Sequence, residues 1–78
     1  MLPDLLVIYR TSAGLGFSAA ARLLNVSQST LWRYEQGKRL PSYDQLRMIL
    51  EAYRCPPSEC ERAEEARRRA LELQKART

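Results

Sequence analysis

Apolar residues recur along this chain every three or four positions, in runs separated by Gly, Pro, Asn and Ser. That is the period of amphipathic helices. The first predicted helix covers 3–13. Leu6, Tyr9, Arg10 and Ala13 share one face, and Leu5, Val7 and Ile8 widen the apolar surface, which reads as ordinary core with some exposure, the alternative being a docking face for another helix. Pro3 suits the first turn, Asp4 the positive end and Gly14 a left-handed stop. The second helix starts near Phe17, with Ala20, Ala21, Leu23 and Leu24 as its apolar side. Asn25 suits a left-handed turn, and Val26 plugs the gap to a third helix capped by Ser27 and ended by Gly37. Pro41 blocks any continuation. Ser42 opens a fourth helix, with Gln45 completing a capping box and Leu46, Ile49, Leu50 and Tyr53 as its core stripe. Cys55-Pro56-Pro57 breaks that helix. A fifth is expected from Ser58, capped with Glu61, along a narrow apolar side of Cys60, Ala63, Ala66, Ala70 and Leu73.

The third helix divides most sharply. At about 100° per residue, Gln28, Trp32, Gln36, Ser29 and Arg33 form one arc, opposite Leu31 and Tyr34. Tryptophan is ordinarily a core residue, yet Trp32 falls between two glutamines on the polar arc. The arc carries no acidic residue, which suits a nucleic-acid groove. Glutamine pairs bidentately with adenine, and arginine with guanine or phosphate.

Composition narrows the alternatives. The chain has 78 residues, 45% hydrophobic, which fits one small folded domain. Its formal charge of +4 is compatible with a polyanion but does not demand one. No histidine and only Cys55 and Cys60 are present, so a Cys/His zinc site within one chain is excluded. The two cysteines read as small buried hydrophobes in a reduced, cytoplasmic protein. The longest apolar run, 5–9, is far too short for a membrane span. Without a histidine base, paired carboxylates in a plausible pocket, a nucleophile motif or a Gly-rich phosphate loop, catalysis has little support, and neither cofactor nor metal is expected.

Charge also separates the tail from the rest. Residues 1–57 carry net +3, whereas 58–78 hold six basic and five acidic residues. Glu64 with Arg68 and Glu65 with Arg69 are spaced for pairing along one helix, and Arg67-Arg68-Arg69 reads as a solvated face. The chain therefore divides into a core, 1–57, and a C-terminal helix, 58–78, available for dimerisation or a protein partner.

With the elements placed, the sequence resembles the Xre-type helix-turn-helix family, which includes lambda-like Cro and repressor domains. The resemblance covers roughly 4–60. It rests on Arg10, Gly14-Leu15, Ala21, Val26-Ser27, Ser29-Thr30, Glu35-x-Gly37-Lys38 and Pro41-Ser42. It implies an all-α, lambda-repressor-like bundle of four to five helices, here with an extended C-terminal helix. Gln28, Ser29, Trp32 and Arg33 would meet base edges, and Ser18, Thr30, Lys38, Arg39, Ser42 and Tyr43 phosphates. Arg10 and Glu35 would form a structural ion pair orienting the third helix. The chain departs from the family at Phe17, where Gln is usual, and at Asn25, where Gly is common.

The implied function is a sequence-specific regulator, a repressor rather than an activator, binding a duplex DNA operator as a homodimer. Its implied setting is the nucleoid-associated cytoplasm of a bacterium, phage or plasmid host. The alternative is an antitoxin or co-regulator whose last helix binds a partner protein.

Overall fold

The computed structural model describes residues 1–77, and Thr78, the end of the predicted C-terminal segment, lies outside them. Among the described residues are five helices, α1 (Leu2–Ser12), α2 (Phe17–Leu24), α3 (Gln28–Glu35), α4 (Tyr43–Ala52) and α5 (Pro57–Arg77), and no strand.

Four of these helices stop by one device. A residue turns left-handed, its amide bonds back three positions, and the next amide bonds back five, satisfying carbonyls that the helix leaves open. Gly14 (φ +75°), Asn25 (φ +56°), Gly37 (φ +74°) and Arg54 (φ +55°) are the left-handed residues. The amides that follow them donate to Arg10, Ala21, Arg33 and Leu50 at 3.2, 3.0, 2.9 and 3.0 Å. Glycine and asparagine are the residues expected there, whereas Arg54 carries no such signal in the sequence. At Gly37 space matters as well. A β-carbon there would lie 3.2 Å from Pro3 Cγ, so the chain leaving α3 runs hard against the start of α1.

Two expected boundaries shift by a residue or two. α1 ends at Ser12, and Ala13, expected on its inner face, is an exposed cap residue. α5 begins at Pro57, so Ser58 lies inside the first turn and is not its cap. The amides of Glu59 and Cys60 donate to the Pro56 carbonyl, both at 3.0 Å. Cys55 and Cys60 thereby bracket the helix start as the apolar pair that fixes its entry angle. Both are half-buried free thiols packed against the core. Burial pushes the Cys55 thiol up to about 11.

The core collects Leu2, Leu5, Leu6 and Tyr9 of α1, Ala20, Ala21 and Leu24 of α2, Leu31 and Tyr34 of α3, and Leu46, Ile49, Leu50 and Tyr53 from α4 and its end. Each fully buried Leu or Ile contributes roughly 1.5–3 kcal/mol. Ala63 is 0% exposed, so the first half of α5 belongs to this core. The small Ala20, Ala21 and Ala63 mark close helix approaches. The Tyr9 hydroxyl ties α1 to α5, donating to the Glu59 carboxylate (2.9 Å) and carbonyl (3.2 Å). Burial and that carboxylate raise its pKa. The wide apolar surface read on α1 resolves accordingly: Leu5 is buried, Val7 half-buried, and Ile8 stays 53% exposed.

Candidate nucleic-acid interface

α3 is short and mostly polar, so it is placed by its neighbours rather than by its own propensity. Its start is fixed locally. The Ser27 hydroxyl accepts from the Thr30 amide at 3.0 Å and donates to the Thr30 hydroxyl at 2.9 Å. Ser29 Oγ lies 3.2 Å from Ser27 Oγ, within hydrogen-bond distance. Its end is fixed by two polar clamps on opposite sides. Glu35 turns inward and is 8% exposed. Its carboxylate accepts from Arg10 Nε at 2.7 Å and from Nη2 at 3.1 Å, a fork that sets orientation as well as position. Arg10 Nη1 also donates to the Leu15 carbonyl at 3.1 Å. On the other side the Tyr34 hydroxyl donates to Gln45 Oε1 at 2.8 Å. That same oxygen accepts the Ser42 amide at 3.1 Å, so one Gln45 atom closes the capping box of α4 and ties α4 to α3.

Phe17 has a part here that its position at the head of α2 did not suggest. Its ring lies under the Arg10 guanidinium at 5.3 Å, so an aromatic face supports the ion pair where the family has glutamine. Apart from that change, the head of α2 is open. Gly16 caps it without a side chain, and no acidic residue occupies its first turn. Ser18 is exposed there, and Gln28 Nε2 reaches its hydroxyl at 3.4 Å across the turn.

With both ends held, α3 presents its polar arc outward. Gln28, Ser29, Trp32, Arg33 and Gln36 are all exposed, Trp32 at 45%, while Leu31 and Tyr34 are buried on the other side. Thr30 is half-buried beside its cap. Glu35 is the one carboxylate on α3, and it faces away from this surface. Lys38 and Arg39 extend the arc along the loop to α4, both exposed. Lys38 Nζ sits 5.9 Å from the centre of the Trp32 ring, and the Arg39 guanidinium 6.0 Å from that of Tyr34. Ser42 and Tyr43 follow at the start of α4, Ser42 with its hydroxyl engaged as the cap and Tyr43 48% exposed. None of Arg33, Lys38 and Arg39 pairs with a carboxylate among the described residues.

The surface from Ser18 through Gln28, Trp32 and Arg33 to Lys38, Arg39 and Tyr43 thus combines side-chain amides, hydroxyls, an aromatic ring and unpaired cations without an exposed acid from α3. Residues 4–64 match the family model of a helix-turn-helix domain. No curated protein and no solved structure matches the chain.

Proposed function

The chain belongs to this helix-turn-helix domain family, in the Xre/Cro-like group, and from that premise we propose that it regulates transcription by laying α3 in the major groove of duplex DNA. The observation that carries the reading is the outward arc of α3, with the helix's one carboxylate turned into the protein. Gln28 and Arg33 suit adenine and guanine edges, Ser29 either base, and Trp32 a sugar or thymine methyl. Lys38, Arg39 and Tyr43, with Ser18 and the open head of α2, suit phosphates on either side. Ser42 and Thr30 reach that backbone only alongside their capping bonds.

A few base contacts discriminate by ~1–3 kcal/mol each. Useful specificity therefore implies two copies on a near-palindromic operator, with half-sites ~10 bp apart. Such a dimer covering a promoter represses, in the nucleoid of a bacterium or a phage or plasmid host. Among the described residues no helix is long and apolar enough to cross a membrane.

The outer half of α5 supports the dimer. Leu73 is 56% and Met1 79% exposed, beside a groove walled by Leu2, Leu5, Ala66 and Ala70. The same strip favours the second reading, an antitoxin or co-regulator that holds a partner protein there. Leu73→Glu leaves the buried Ala63 seam intact. If the groove joins two copies, light scattering finds the wild type as a dimer and this variant as a monomer.

Selection of bound sites from a random duplex library tests the main reading. A two-fold-related pair of short motifs is expected, and Gln28→Ala should relax one position in each, by ~1–3 kcal/mol. A chain that selects nothing at moderate salt overturns it.

A further inference from the structure

Arg67 lies on α5 at the start of a basic run and beyond the residues that match the family. Solvation was the expectation for that run, but Arg67 is half-buried, and its Nε donates to the carbonyl of Pro41 at 2.9 Å. Pro41 is among the fully buried side chains of the protein. As a proline it has no amide to donate, so its carbonyl is its one backbone handle, and Arg67 holds it with a charged donor. Hydrogen bonds of that kind are roughly twice as strong as neutral ones.

What Arg67 holds is the segment between α3 and α4. Gly37 at one end of that segment has little room for a side chain beside Pro3, and Ser42 at the other donates to Gln45, which also receives the Tyr34 hydroxyl. A continuous set of contacts therefore runs from α5 through Pro41 and Ser42 to Gln45 and the back of α3. Lys38 and Arg39 project from the stretch so tied, on its exposed side.

We propose that Arg67 is a positioning residue for DNA binding: by gripping Pro41 it fixes where the loop cations Lys38 and Arg39 stand relative to α3, so that α5 contributes to phosphate contact without touching DNA. This rests on the reading that α3 and its following loop face a duplex. The neighbouring Arg68 and Arg69 have no such role. They are exposed and engage Glu65, and Arg68 also engages Glu72.

The test compares Arg67→Met with Arg69→Met, which remove the same charge from the same helix. Affinity for the selected duplex is measured against salt for the full chain, with thermal melts to confirm folding. Each phosphate contact contributes ~0.9 to the slope of log K against log salt. Arg67→Met should flatten the slope by the equivalent of one or two contacts, about 0.9–1.8, and speed hydrogen exchange at the Ser42 amide. Arg69→Met should leave both as in the wild type. A merely structural Arg67 lowers the melting temperature but not the slope of the folded fraction. If the wild type selects a duplex and Arg67→Met keeps its slope, the role given to Arg67 is wrong. If the wild type selects none, the DNA reading itself fails and this role with it. Should Arg67→Met not fold, Arg67→Gln is read in its place. It keeps a donor on a shorter neutral stem, and the same outcomes decide.

Discussion

The loop after α3 and the outer half of α5 are both basic in sequence, and they dispose of their charge in opposite ways. In the loop, Lys38 and Arg39 rest against the rings of Trp32 and Tyr34, and no carboxylate takes up either charge among the described residues. On α5, Arg62 pairs with Glu59 at 3.8 Å, Arg68 with Glu65 at 2.6 Å and with Glu72, and Arg69 with Glu65 at 3.2 Å. Arg67 is engaged by Pro41. The denser basic run is thus the one less available to a polyanion. A phosphate-binding surface depends on cations whose acids lie elsewhere, because a neighbouring carboxylate cancels most of the field beyond a few ångströms. Around α3 that separation is made by burial: Glu35 spends its charge on Arg10, inside the protein.

The largest effect is therefore expected where the separation is made. Glu35→Ala leaves Arg10, whose side chain is 14% exposed, without its partner, and breaking one side of a buried pair costs ~3–5 kcal/mol. Urea denaturation should show that loss. Arg68→Ala, on an exposed helix surface, should hardly move the midpoint. The double replacement Arg10→Met/Glu35→Leu should recover much of the Glu35→Ala deficit, since an apolar pair leaves no stranded charge. Equal costs for Glu35→Ala and Arg68→Ala would erase the contrast between the two regions.

Next in size is the effect of the cations on binding. Lys38→Ala should weaken every selected site alike and lower the salt slope by about 0.9, because a phosphate contact carries no sequence information. Arg68→Ala removes the same formal charge from a residue already matched by Glu65 and Glu72 and should leave the slope unchanged. If both variants lose the same slope, net charge rather than placement governs the interaction, and the basic run on α5 has to be read as part of the interface.

Much of this was legible from residue order, and the exceptions have a common cause. Helix number, the Asn25 turn, the Ser27 cap and the Ser42–Gln45 capping box all depend on residues within a few positions of one another, and the structure contains each of them. The outward arc of α3 was also readable, because period alone separates Trp32 from Leu31. Contacts that cross between helices were not. Glu64 lies in register for Arg68 but reaches across to Arg47 of α4 at 3.1 Å, leaving Arg68 to Glu65 and Glu72. Leu73, counted on the apolar side of α5, is more than half exposed, whereas Ala63 on the same side is fully buried. Gln45 was readable as a capping residue but not as the acceptor for Tyr34, and Arg67 as a charge but not as the clamp on Pro41. The left-handed Arg54 had no local signal at all.

The smallest expected effect isolates the tail's self-pairing. Hydrogen bonds from Arg68 and then Arg69 hold the Glu65 carboxyl down at about 2, against an ordinary value of 4.5. A carboxylate depressed on folding stabilises the folded form fully above the unfolded pKa, and that contribution fades as pH falls through the folded one. The contribution of Glu65 to α5 should therefore be complete above about pH 5 and vanish near pH 2. In far-UV circular dichroism, wild type and Glu65→Gln should differ slightly at neutral pH and converge as the pH approaches 2. Because the group is exposed, molar salt should shrink the difference. A difference that persists at pH 2, or ignores salt, would mean that Glu65 supports α5 by packing and not by taking up its arginines, and the charge on that helix would then be as open to a polyanion as the charge on the loop.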